Sequence, residues 1–486
     1  MNYRMLAFFF GQILRIGGLL MCIPLLVAMI YGERSTYLSF LVPIAIQLLT
    51  GSIMVKLLPK KNTKILAKEG FVCVALAWTI LSAIGALPFV ISGAIPHYMN
   101  AFFETVSGFT TTGATILTEM ESMPRGLMFW RCFTHWIGGM GILVFVLMFL
   151  PKSQSGKTSM MHVMRAEVPG PTVGKIMPKI SDTARFLYTL YFLLSAVQTI
   201  LLRLGGLSWY ESIIHTFSTA GTGGFSCWSS SMAQQTPYIQ YVLTAFMLIF
   251  SINFNLYYFV IIKKWKEAIR SEEMHAFFII VGLVIAVITL NIYRQYDSFE
   301  HAFRAAAFQT SAIISTTGFV SENYDLWPVL SRVLMVVLMF VGACAGSTGG
   351  GMKVSRILIL LKSAVRDISS LAHPRRVKAI RIDAKPVDNQ TVRNASAYFL
   401  LYMIILVSSV VLISAFDEMD MVSTFTGVVT CLNNVGPGMG EIVGATGNFA
   451  GLSIGSKIVL SFCMLAGRLE IMPMLLVFFP STWKRA

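Results

Sequence analysis

Four short polar stretches, each built around a glycine, interrupt a chain that is otherwise strongly apolar. They read TTTGAT, STAGTG, STTGFV and NNVGPG, and they align on Gly113, Gly221, Gly318 and Gly436, separated by 108, 97 and 118 residues. Each closes a semi-polar segment, at about 98–118, 207–228, 297–320 and 419–440. Each segment opens with roughly 10–14 residues of helical pattern, too few to cross a bilayer. Long apolar runs flank every one. The unit is therefore long helix, short re-entrant element, long helix, repeated four times, and such a repeat dictates the architecture.

The long runs are membrane spans. Hydrophobic residues make up 55% of the 486, charged residues 13%, and mean hydropathy is +0.70. Spans are predicted near 5–30, 37–57, 70–94, 127–150, 184–204, 238–262, 275–293, 329–361, 396–415 and 454–480. The fold class is thus all-α and polytopic, with ten transmembrane helices. Two N-terminal helices (1–66) precede pore repeats at 67–160, 161–270, 271–385 and 386–486. The net charge of +15 sits in the short loops KLLPKKNTK, PKSQSGK, KKWKEAIR and RRVKAIR and in the final WKRA. All fall on one side if the helices alternate, so the positive-inside rule puts both termini in the cytoplasm. That distribution fits a lipid bilayer and argues against nucleic acid as a partner. The seven cysteines are scattered without a CxxC pair, which offers neither a zinc site nor a disulfide framework. The first apolar run lacks a signal-peptide cleavage pattern, so it is expected to remain as a helix.

Irregular backbone at membrane depth survives only where protein buries it or where it lines a water-filled cavity. Four polar strands around one axis would offer rings of carbonyl oxygens that replace the hydration shell of a cation. Glycine suits the turn because it reaches positive φ without steric cost. The short helices would aim their partly negative C-terminal ends at the same place. The competing expectation is four Gly/Thr-rich loops that merely cap helix hairpins.

These helix–loop–helix units, the four tails and the segment HWIGGMGI from His135 to Ile142 resemble the Trk/Ktr/HKT superfamily of potassium transporters, including the branch with two extra N-terminal spans. The resemblance covers essentially the whole chain. It implies potassium uptake across a bacterial inner membrane, with K+ as cargo and no cofactor in this chain. It implies coordination by the carbonyls of Thr111, Thr112, Thr219, Ala220, Thr316, Thr317, Asn434 and Val435, just ahead of the filter glycines. A glycine in the first filter, here Gly113, goes with potassium preference in that superfamily. The fourth tail departs most, with asparagines for threonines and Pro437 following, which leads us to expect moderate selectivity. The resemblance also implies a homodimer with one pore per chain, and a cytosolic nucleotide-binding regulatory subunit. The basic segments Lys362–Arg393, with eight Lys/Arg against three Asp, and Lys152–Arg185 are its expected docking region, or a contact for anionic lipid.

Two features belong below the tails. GACAGSTGGGMKVS, Gly342 to Ser355, spaces Gly346 and Gly351 like a phosphate-binding loop, but Met352 stands where the lysine should be. Five glycines in ten residues should break the span, at ~1 kcal/mol each relative to alanine. We expect an intramembrane gate built on Gly346, Gly349, Gly350 and Gly351; the alternative is a glycine face for tight helix packing. Arg468 lies about 21 Å along the last span from Ile454. A charge at that depth is costly unless it meets an aqueous path or a partner, so it is expected to point into the conduction path. The alternatives are snorkelling and a partner on another helix. Glu470 is too close in sequence to share its helix face.

Weaker candidates are Asn253 and Asn255 as cavity lining or interhelical hydrogen bonds, Arg15 as a snorkelling or packing residue, and Glu104 as a bond to the filter backbone or equally as a helix-dipole or helix-packing residue. Glu119, Glu121, Glu322 and Asp325 form either an acidic mouth or solvated loop charge. A sodium- or proton-coupled carrier is the main rival, but inverted repeats would mark it, and here all four units run the same way. An enzyme would need clustered His, Asp or Glu at membrane depth. The seven histidines, with His135 and His215 near pore elements, are dispersed.

Overall fold

The computed structural model describes residues 3–56, 67–141, 180–373 and 379–483. Among the described residues six helices are long and apolar enough to cross a membrane: Leu6–Ile30, Arg34–Lys56, Lys68–Ile91, Ala184–Leu204, Glu272–Gln295 and Asn389–Phe416. The last of these exposes Leu400, Ile404, Val407 and Val411, a stripe at helical spacing that suits lipid contact. The two N-terminal helices, α1 (Tyr3–Ile30) and α2 (Tyr37–Lys56), pack through facing glycines. A Cβ on Gly11 would lie 2.8 Å from the Gly51 carbonyl oxygen, and Arg15 lays its stem on Gly51. Arg15 is therefore a packing residue.

Four half-length helices follow, α3 (Tyr98–Phe109), α4 (Trp209–Ala220), α5 (Phe299–Ile314) and α6 (Met421–Asn433). Side-chain caps start three of them. Ser208 with Glu211 forms a capping box on α4, Ser298 caps α5 and Asp420 caps α6. Their C-terminal halves are largely buried, and all four are too short to span. Each points its C-terminal end toward the same central region.

The spans expected at 127–150, 238–262, 329–361 and 454–480 are not continuous helices. The described part of the first, α7 (Arg125–Met140), ends on Gly141 at φ 78°; the rest lies outside the described residues. The second splits into α8 (Pro237–Ser251) and α9 (Phe254–Ile261), bent by 89°, because Asn253 caps the new helix by accepting from the Asn255 amide. The third splits into α10 (Val329–Val341) and α11 (Val354–Ala372). The fourth splits into α12 (Ile454–Arg468) and α13 (Met472–Phe478). Its joint carries Glu470 and Ile471 at φ 58° and 60°, a conformation that costs a non-glycine residue ~1–3 kcal/mol. Partners offset that cost: the Glu470 carboxylate pairs with Arg356 of α11, whose guanidinium also lies 4.0 Å from the Tyr398 ring.

On the opposite side from the half-helices a two-stranded hairpin, β1 (Arg381–Ile382) and β2 (Lys385–Pro386), turns through Asp383. The Asp383 carboxylate accepts from the Glu272 amide at 2.7 Å, capping α14 (Glu272–Ile292). Most of the basic loops, 57–64, 152–179, 375–378 and 484–486, fall outside the described residues.

Candidate functional site

All four tails leave their half-helices in the same way. A residue in the left-handed region comes first, Thr111, Thr222, Thr316 and Asn434 at φ 53°, 55°, 59° and 55°. Two positions later comes a glycine at positive φ: Gly113, Gly224, Gly318 and Gly436. The amide pattern repeats too: Thr112 donates to Ser107, Gly223 to Ser218, Thr317 to Ala312 and Val435 to Thr430, all main chain to main chain. The second tail is therefore read three residues too early from sequence. Thr219 and Ala220 are still helical, with Thr219 Oγ1 donating to the His215 carbonyl at 2.8 Å and Ala220 in the apolar core. Gly221 is the helix cap, at φ −72°, not the counterpart of Gly113. The spacings become 111, 94 and 118 residues.

The tails close a ring. A Cβ on Gly113 would lie 2.1 Å from the Gly223 carbonyl oxygen. One on Gly224 would lie 2.0 Å from Thr317 O, one on Gly318 2.0 Å from Val435 O, and one on Gly436 2.7 Å from Thr112 O. Tail one meets two, two meets three, three meets four and four meets one. No side chain fits at these glycines, which is why each position carries glycine. In the fourth tail Asn434 holds the left-handed position that threonine holds in the other three, and its Nδ2 donates at 2.9 Å both to Thr112 Oγ1 and to the Met464 carbonyl. His135 packs behind the second tail and meets the Gly108 carbonyl at 2.7 Å. Two buried oxygens at the left-handed positions, Thr111 Oγ1 and Asn434 Oδ1, have no hydrogen-bond partner among the described residues.

Beneath the helix ends runs the glycine-rich loop 342–353. Gly350 N donates to Thr316 Oγ1 at 2.6 Å, and a Cβ on Gly349 would lie 2.9 Å from Ser315 O. The loop also pairs with the broken sixth span: Cys344 N to Ser251 O, Phe254 N to Gly346 O and Thr348 N to Phe250 O. Asn253 Oδ1 sits 3.0 Å from where a Gly346 Cβ would be, so Asn253 belongs to this contact. Arg468 is the fork that ties the arrangement together. It donates to Thr348 O at 2.8 Å, to Gly139 O at 2.8 Å and to Gly138 O, neutralising the carbonyl end of α7. Lys353, buried at φ 74°, returns its ammonium to Gly349 O. The Glu273 carboxylate accepts from Ala345 N at 2.7 Å and Ser355 N at 3.1 Å, pinning both ends of the loop to α14.

On the other face of the ring a cavity of about 130 Å³ is lined by all four tails, among them Ala114, Phe225, Val320 and Pro437. The acids expected at a mouth mostly staple loops. Asp325 accepts from Gly440 N and Ala445 N at 3.1 and 2.9 Å, and Glu322 pairs with His301 at 3.0 Å. Glu121 accepts from Ser229 N and Oγ, and those bonds hold its carboxyl below the usual range. Sequence reasoning missed Arg131, Glu273 and Lys353. Arg131 carried a usable signal, a charge inside an expected apolar span, the same kind of signal that singled out Arg468.

Residues 40–485 match the family model TrkH, described as a cation transport protein. The chain is 35% identical to the Trk system potassium uptake protein TrkH of Salmonella typhimurium, over 98% of this chain and 99% of that one. It is 34% identical to the protein of the same name from Vibrio parahaemolyticus, over the full length of both. The crystal structure of the potassium transporter TrkH from Vibrio parahaemolyticus superposes with a TM-score of 0.88 at 32% identity, covering 100% of each chain.

Proposed function

The chain belongs to the TrkH family of cation transport proteins, and from that premise we propose that it takes up potassium through a pore formed inside a single chain. It is a multi-pass membrane transport protein, not an enzyme. The observation that carries the pore reading is the closed ring of four tails in cyclic order. In this reading the carbonyls of Thr111, Thr112, Thr222, Gly223, Thr316, Thr317, Asn434 and Val435 form the filter, and Gly113, Gly224, Gly318 and Gly436 permit it. The loop with Gly346, Gly349, Gly350 and Gly351, together with Arg468, is the gate beneath. Four pseudo-fourfold repeats at 67–160, 161–270, 271–385 and 386–486, ten membrane passages with several broken, cytoplasmic termini and an inner-membrane location complete the architecture. A homodimer and a cytosolic nucleotide-binding subunit docking near 362–393 complete the assembly.

Rubidium uptake into a potassium-requiring bacterial strain, with and without competing sodium, tests this. The native chain should support saturable-to-linear rubidium entry that potassium outcompetes far better than sodium. Gly113→Ser should abolish uptake, or lower the preference for rubidium over sodium by about tenfold, which corresponds to ~1.4 kcal/mol. Unchanged preference in Gly113→Ser at native abundance defeats the pore reading. Uptake that strictly requires a second ion would favour a coupled carrier instead.

A further inference from the structure

Nine or ten residues before each ring glycine, the half-helix carries one polar side chain that reaches the strand rising two or three residues after that glycine. Glu104 accepts from Thr115 Oγ1 and Ile116 N, both at 2.9 Å. His215 Nε2 meets Ser226 Oγ at 3.1 Å. The Gln309 carboxamide lies 3.3 Å from Ser321 Oγ. Thr426 Oγ1 donates to Met439 O and accepts from Met439 N, both at 2.8 Å. Four different side chains thus perform one geometric task, holding each tail from behind.

Only the first has a charged partner among the four. Arg131 Nε meets Glu104 Oε1 at 2.7 Å, and both side chains are almost fully buried. The rest of the guanidinium is spent across the boundary between tails one and two. Nη2 donates to Thr115 Oγ1 at 3.1 Å, Nη1 donates to the Ser226 carbonyl at 3.1 Å, and the plane lies 3.5 Å from the Phe225 ring centroid. Thr115 and Ser226 occupy the same place in their tails, two residues after Gly113 and Gly224. A buried pair is poor evidence for net stability, because desolvation offsets the Coulomb gain. What it supplies is fixed geometry, and here that geometry is the relative position of two filter tails.

We propose that the Glu104–Arg131 pair is a positioning element that locks tails one and two together and sets how sharply the ring discriminates among monovalent cations. This rests on the reading of the ring as the selective element. A sub-ångström change in the ring alters the match to an ion's shell, so loosening this clamp should change preference before it changes capacity. Arg131→Lys separates the two: the lysine keeps the charge opposite Glu104, but as a point charge without the fork it cannot also reach Ser226 and Thr115. Thr115→Val keeps the pair and removes only the hydroxyl that both partners use.

The test is rubidium uptake by the full chain, reading the ratio of the sodium inhibition constant to the rubidium half-saturation constant, with membrane abundance measured alongside. Arg131→Lys should lower that ratio at least about threefold with maximal uptake per protein near native, and Thr115→Val should move it the same way. A purely structural role lowers abundance and maximal uptake but leaves the ratio alone. An unchanged ratio in both variants at native abundance overturns the proposal, and if Arg131→Lys fails to reach the membrane, Thr115→Val alone decides. Gly113→Ser distinguishes the two levels of failure. If it shifts the ratio or abolishes uptake while the clamp variants do nothing, only the clamp fails; if all three leave the ratio unchanged, the ring itself is not the selective element.

Discussion

Arg468→Ala is expected to raise rubidium flux about tenfold or more at native abundance. Three hydrogen bonds leave this guanidinium, to Thr348 on the loop and to Gly138 and Gly139 at the end of α7. Hydrogen bonds from a charged group contribute ~1.5–3 kcal/mol each, and a net loss of only ~1.4 kcal/mol in favour of the obstructing arrangement moves its population tenfold. The substitution also removes a fixed positive charge from beside the proposed cation path, and the two effects act in the same direction. Arg468→Lys should fall between, since it retains the charge but cannot span carbonyls on two elements at once. Unaltered flux in Arg468→Ala would mean that the arginine is a structural bridge only.

Removing residues 345–350 should have a larger effect still. This segment supplies Gly350 N to Thr316 Oγ1, the Thr348 carbonyl to Arg468, and the strand-like pairing with Phe250 and Phe254. Flux should rise by well over tenfold, and it should no longer respond to Arg468→Ala, because both changes act on one element and such effects do not add. A shortened variant that reaches the membrane and conducts no better than the native chain would show that the loop packs helices and does not gate. Additive gains in the double variant would show two separate barriers.

The half-length helices and the glycine-rich break were legible because each rests on a local rule. Length limits a span, and clustered glycine ends a helix. Arg468 stood out because a charge inside an apolar run demands an aqueous path or a partner, and the structure supplies partners in the carbonyls of Thr348, Gly138 and Gly139. The second tail was not. TAGTGGF holds glycines at 221, 223 and 224, and which of them turns the chain depends on where α4 stops, a matter settled by the close approach of His135 to Gly221 and of Thr317 to Gly224. The breaks at Asn253 and Glu470 were passed over although each had a mark, an asparagine cap in SINFN and Pro473 just past the joint. Hydropathy alone smooths over both. The four side chains behind the ring are of four unlike types, so no sequence pattern links them; only their common distance from the ring does.

The most direct test is diffraction from crystals of the full-length protein grown in rubidium, at the wavelength where rubidium scatters anomalously. The account requires an anomalous peak on the axis enclosed by the main-chain oxygens of Thr112, Gly223, Thr317 and Val435. Rubidium found only at the periphery, at a concentration that saturates uptake, would contradict it.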